Sequence, residues 1–124
     1  MTFKEALPQS CPPSTVVQPT ENTLWRLLFS DVIEITDFDS QFKKNPKRNF
    51  PDPCGARSVS LVTSLEVCRS AIKSPRMPKF THAVQVLHNP SSGVWHKDKP
   101  THVHWWPYKN VNLPSEIRGS VEKL

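Results

Sequence analysis

Five histidines, at positions 82, 88, 96, 102 and 104, are the side chains best placed by type for chemistry near neutral pH. The pattern His102-x-His104 matters most. On a strand it sets two imidazoles on one face, about 7 Å apart by the strand rise. That spacing suits two ligands of one zinc ion, and a third must come from elsewhere. His96 is the nearest source. A hairpin with the loop Lys97 to Pro100 pairs His96 with Thr101 and Trp95 with His102, and opposed residues share a face. His96 then lies on the Thr101/Val103 side, away from the pair, so this register predicts no metal site. A slip of one residue reverses that conclusion. Trp106 shares the His102/His104 face, where an indole stands ready to stack on a planar ligand. Trp105 falls on the core side.

Other chemistries are poorly supplied. Three glycines are too few for a phosphate loop or a dinucleotide fingerprint. There is no GxSxG, CxxC or HExxH. Asp37-x-Asp39 resembles the start of a calcium loop, but Phe42 stands at the loop glycine and Arg48 at the closing glutamate, which excludes calcium.

Charge points to an anion. The net charge is +5, and it is unevenly spread. Between Glu21 and Asp39 there are five acids and one base; between Lys43 and Lys79 there are nine bases and two acids. Folding gives such a chain one positive side, although solvated polar faces are the commoner outcome. Lys43, Lys44, Lys47 and Arg48 form a basic loop flanked by Phe42 and Phe50, a mixture that suits phosphates and stacked bases. Arg26 sits within an apolar run, where an unpaired charge is costly. It either pairs with a nearby acid or binds an anion on the floor of a cleft. Arg57 and Ser60 stand where a strand meets such a cleft.

Several elements must position these residues. Leu24 to Phe29 reads as a central strand, and Asp31 to Thr36 as an edge strand. Asp37 to Cys54 is a long irregular stretch with three prolines. Arg57, Val59 and Leu61 line one face of the next strand, and Ser58, Ser60 and Val62 the other. That strand runs into a helix at about 64–73. Thr63-Ser64-Leu65-Glu66 reads as its capping box. Leu65, Cys68 and Ile72 form its apolar stripe, and Ser74-Pro75 ends it. Phe80 to His88 is another strand, followed by a turn at Asn89 to Gly93 and the hairpin. Ser115 to Leu124 suits a short C-terminal helix.

A strand carrying Trp25-Arg26, a later strand with Ser58-Val59-Ser60 running into a helix, and strands near the end resemble the layout of ADP-ribosyltransferase-like domains. The resemblance implies an NAD-using enzyme in which Arg26 holds the cofactor phosphate. The chain departs from that family where a late glutamate is required, because Thr101 to Trp106 contains no acid. The Cys-Gly, Ser-hydrophobic-Thr-Ser and His-x-His-Trp-Trp-Pro arrangement also resembles small bacterial proteins that supply no activity to carry over.

Thirteen prolines among 124 residues limit the regular structure. The expectation is an α+β fold: a small, mainly antiparallel sheet with one clear helix. Residues 1–20 form a Pro-rich mobile tail, 21–113 a single domain, and 114–124 a C-terminal segment. Pro12-Pro13 offers a protein partner a polyproline contact. Three irregularly spaced cysteines, with no apolar leader or span, predict free thiols in a cytoplasmic protein. The first functional expectation is a non-catalytic module, without a cofactor, that binds a nucleotide or nucleic acid. The alternatives are the NAD-using enzyme and a protein-interaction module.

Overall fold

The computed structural model describes residues 2–17, 23–87, 91–111 and 118–124. Its frame is one antiparallel sheet of six strands: β1 (Thr23–Leu28), β2 (Val59–Val62), β3 (His82–Leu87), β4 (Gly93–Lys99), β5 (His102–Pro107) and β6 (Arg118–Lys123). The spatial order is β4-β5-β2-β1-β3-β6. Among the described residues three short helices accompany it: α1 (Gln41–Lys44), α2 (Pro53–Ala56) and α3 (Leu65–Ala71). The fold is α+β but dominated by the sheet, and the longest helix among the described residues has seven residues.

Alternation along the strands decides what is buried. Val59 pairs with Trp105 and Leu61 with Val103, and all four lie in the main core with Leu24, Leu28, Val84 and Val86. Phe38 closes that core from a 3-10 turn, Ile35–Phe38. Each strand's intervening residues face the other way, so His102, His104 and Trp106 lie on the opposite side of β5 from Val103 and Trp105. There a smaller cluster of Val94, Trp106 and Tyr108 packs against Phe3, Leu7, Cys11 and Cys54.

Four expectations are corrected. First, residues 31–36 are not an edge strand. Glu34 and Asp37 cap each other's backbone, which winds the 3-10 turn and leaves Val32 and Ile35 exposed. Second, α3 starts one residue late: Ser64 accepts from the Val67 amide, because the Thr63 amide is still bonded to Thr101 of the sheet side. Third, the described end of the chain is strand β6 and not a helix; Val121 pairs with Val84 on β3. Residues 115–117 of the expected helix lie outside the described residues, as do Asn89 and Pro90 of the expected turn.

Fourth, residues 2–17 are not a loose tail. Phe3 bridges Tyr108 and Val17 bridges Trp95, so the segment runs as a strap beside the β4–β5 hairpin. The Glu5 carboxylate accepts from the Ser40 amide and hydroxyl. A disulfide joins Cys11 to Cys54 at the start of α2. Two of the three expected free thiols are therefore consumed, and only Cys68 is free, buried under α3. Among the described residues no helix is long and apolar enough to cross a membrane.

Gly93 opens β4 at a φ of +139°, where a side chain is strained. A Cβ there would also collide with the Trp106 carbonyl and come within 2.8 Å of the Trp105 indole nitrogen. This close approach lets β4 seat against β5 over two tryptophans.

Candidate functional site

The hairpin does not keep the register expected of it. Trp95 pairs with Trp105 and His96 with His104, and a bulge between Lys97 and Lys99 then brings Lys99 opposite His102. An extra residue in one strand of a pair shifts every partner beyond it. The connection is thus Pro100-Thr101, and His96 lies on the same face as His104. The argument that placed His96 on the far side is overturned, and Asp98, two residues on, is delivered to that face as well.

Asp98 bridges the two histidines of the His-x-His pair. Its Oδ1 lies 2.6 Å from His102 Nδ1, and its Oδ2 lies 3.2 Å from His104 Nε2. The two rings meet edge to face, with centroids 4.8 Å apart. Burial works to raise the Asp98 pKa, but the His102 hydrogen bond and the charges of both imidazoles outweigh it and hold the carboxyl below its ordinary range. Burial dominates at His104 and pushes its pKa down, against the attraction of Asp98 and Asp52.

The far nitrogen of His104 is held from the residue just before β2. Ser58 Oγ lies 2.7 Å from His104 Nδ1 and donates its own proton to the Gly55 carbonyl at 2.7 Å. A hydroxyl has one proton, so with that proton on Gly55 its oxygen accepts from Nδ1–H. Ser58, His104 and Asp98 thus line up, but Ser58 is buried and orients the imidazole instead of standing ready as a nucleophile.

Asp98 and His104 open on a cleft of about 290 Å³. Its walls include His96, Asp98 and His104 of the hairpin, Asp52 capping α2, Gly55 within it, and Ser10 and Pro13 of the strap. Thr15 on the strap is 3.1 Å from His96 Nδ1. Asp98, His102 and His104 offer one donor atom each within 4.8 Å of one another, and are the residues here able to hold a metal.

Trp106 faces the cleft but is 2% exposed, and its indole donates to the Cys54 carbonyl at 3.1 Å. The free stacking surface expected of it is absent because α2, tied down by the disulfide, covers the ring. His88 lies outside the described residues.

Arg26 is on the other side of the sheet. It shares a β1 face with Leu24 and Leu28, whereas His104 projects from the reverse face. Its Nε donates to the Asp37 carbonyl at 2.9 Å, Nη1 to the Ser60 carbonyl at 2.8 Å and Nη2 to the Asp39 carbonyl at 3.5 Å. Burial lowers its pKa to about 10 against the pull of Asp37 and Asp39. The expected acid partners are next to it, yet it grips their backbone, and Asp39 instead pairs with Lys4 and Lys43. The sheet separates Arg26 from the side chain of Ser60, whose residue faces His104 in register.

The basic segment is close to the cleft. The Arg57 guanidinium lies 3.7 Å over the Phe42 ring, and Arg48 5.3 Å over Phe50. Arg57 also donates to the Pro53 carbonyl at 2.8 Å. Lys47 and Arg48 are exposed. Burial, then the charge of Arg26, lowers the Lys44 pKa. The structure therefore brings His102, His104 and Trp106 to one face of β5, with Arg57 beside Trp106, and leaves Arg26 on the opposite face, close enough to Lys44 of the 43–48 loop to act on its charge.

Comparison with known protein families, with curated proteins and with solved structures returned no match to this chain.

Proposed function

We propose that the protein binds an anionic partner, a nucleotide or a nucleic acid, along the segment from α1 to α2, beside the cleft. The observation that carries this reading is the pair of arginine–aromatic contacts, Arg57 over Phe42 and Arg48 over Phe50, set among exposed lysines. A guanidinium held over a ring is positioned by it and keeps N–H groups for phosphate oxygens. The same segment supplies Asp52 and Gly55 to the cleft wall, so a partner held there reaches the histidines. Arg26 is excluded from this interface, and with it goes the residue that the NAD-using reading needs for a cofactor phosphate.

The cysteines bear on the compartment. A disulfide persists in an oxidising setting, so the Cys11–Cys54 bond removes the free-thiol argument for the cytoplasm and favours an oxidising environment.

The experiment is charge reversal. Lys47→Glu with Arg48→Glu changes two exposed side chains and leaves the core alone. Fluorescence anisotropy with a labelled single-stranded oligonucleotide should show binding by the parent chain and at least about 10-fold weaker binding by the double variant. Equal affinity of the two chains would refute the interface.

A further inference from the structure

We propose that Asp98, His102 and His104 form a binding site for a divalent transition-metal ion with the coordination chemistry of zinc. The inference stands on donor geometry and needs nothing from the anionic-partner reading.

The first argument is the donor set. One carboxylate and two imidazoles suit zinc and its first-row neighbours, and three protein ligands beside an open cleft leave positions for water or a further ligand. Tetrahedral zinc at ordinary bond lengths sets its donors about 3.3 Å apart. Asp98 Oδ2 and His104 Nε2 are 3.2 Å apart. The other Asp98 oxygen, Oδ1, is 2.6 Å from His102 Nδ1, a contact that opens by about 0.7 Å to reach that spacing, and one donor atom from each of the three residues lies within 4.8 Å of the others.

The second observation is the support behind His104. The Ser58 hydroxyl donates to the Gly55 carbonyl and lies 2.7 Å from His104 Nδ1, which holds the ring with Nε2 turned to the carboxylate oxygen 3.2 Å away. A ligating histidine commonly donates its other N–H to an oxygen that fixes its tautomer, and the His104–Ser58–Gly55 chain has that form. Gly55 keeps the space clear: a Cβ there would lie 3.0 Å from His104 Cε1 and collide with the Asp52 carboxylate.

The ion also changes the sign of the cleft. Asp52 and Asp98 both line it. A dication there converts a wall that repels phosphate into one that attracts it.

The test is titration of the full-length chain with Zn²⁺ by calorimetry, with Co²⁺ absorption as a second readout of ordered ligation. The parent chain should take up one ion. His102→Ala, at a half-exposed position, should weaken uptake at least about 10-fold. Ser58→Ala removes no ligand but frees the imidazole, and should weaken it about 10- to 100-fold. His82→Ala on β3, remote from the hairpin, should leave it unchanged. Circular dichroism verifies the fold of each variant, and if Ser58→Ala does not fold, His102→Ala decides. No saturable uptake by the parent chain, equal losses in all three variants, or undiminished binding by a folded Ser58→Ala chain would each overturn the proposal. The Lys47→Glu/Arg48→Glu chain should bind Zn²⁺ normally, which separates failure here from failure of the anionic interface.

Discussion

Replacing Cys11 and Cys54 by serine should cost the protein a large share of its stability. The two cysteines are 43 residues apart. Closing a loop of that length in the unfolded chain removes about 13 cal/mol/K of entropy, or about 4 kcal/mol at 25 °C. Single domains are stable by only about 5–15 kcal/mol. The bond holds the strap to α2. The strap's other contacts include the Lys4 amide on the Pro107 carbonyl, the Lys109 amide on the Thr2 carbonyl, the Val17–Trp95 bridge, Glu5 on Ser40, Lys4 on Asp39, Thr15 beside His96, and Phe3 and Leu7 in the smaller apolar cluster. The main core lies on the opposite face and does not depend on the strap. The assay is urea unfolding of the parent chain and of Cys11→Ser/Cys54→Ser, followed by tryptophan fluorescence. With a urea dependence of about 1.5–2 kcal/mol/M, the midpoint should fall by about 2–3 M. A loss below about 1 kcal/mol would refute the reasoning, because it would mean that the flanking bridges already hold the strap in place.

Other outcomes follow from the same geometry. Burial depresses the His104 pKa in the folded state, so the unfolded chain binds that proton more readily. Stability from this group is complete above its unfolded value near 6.5 and falls as pH drops through and below that value; His104→Asn should flatten that part of a thermal-unfolding pH profile. Burial raises the Cys68 pKa to about 11, which keeps the thiol protonated. A thiol reagent should find no reactive cysteine in the native, oxidised chain and one per chain after denaturation.

Much of the sheet was legible because its strands obey simple alternation. Val59 and Leu61 belong inside by period, and His102, His104 and Trp106 share a face for the same reason. The register of β4 on β5 was not legible, since a bulge at Lys97–Lys99 has no signature in residue type. That single residue hid the convergence of His96, Asp98 and His104. The strap escaped because it attaches by isolated bridges and one covalent bond, neither of which leaves a periodic pattern. The chain end suits a short helix apart from Gly119, yet residues 118–123 form strand β6 on the template of β3. Arg26 was correctly recognised as a charge needing partners in an apolar run. Those partners proved to be backbone carbonyls from three chain positions, which only the tertiary fold brings together. Ser58 had one available signal: it precedes β2 in the alternation that puts Ser60 on the face that meets His104.

The most direct test of the anionic interface is the salt dependence of oligonucleotide binding. If Lys47, Arg48 and Arg57 each contact one phosphate of a single strand, the logarithm of the association constant should fall with the logarithm of salt concentration at a slope of about −2. Between 50 and 200 mM salt that is about a 20-fold loss of affinity. Binding that is absent at low salt, or that holds constant across this range, would contradict the account.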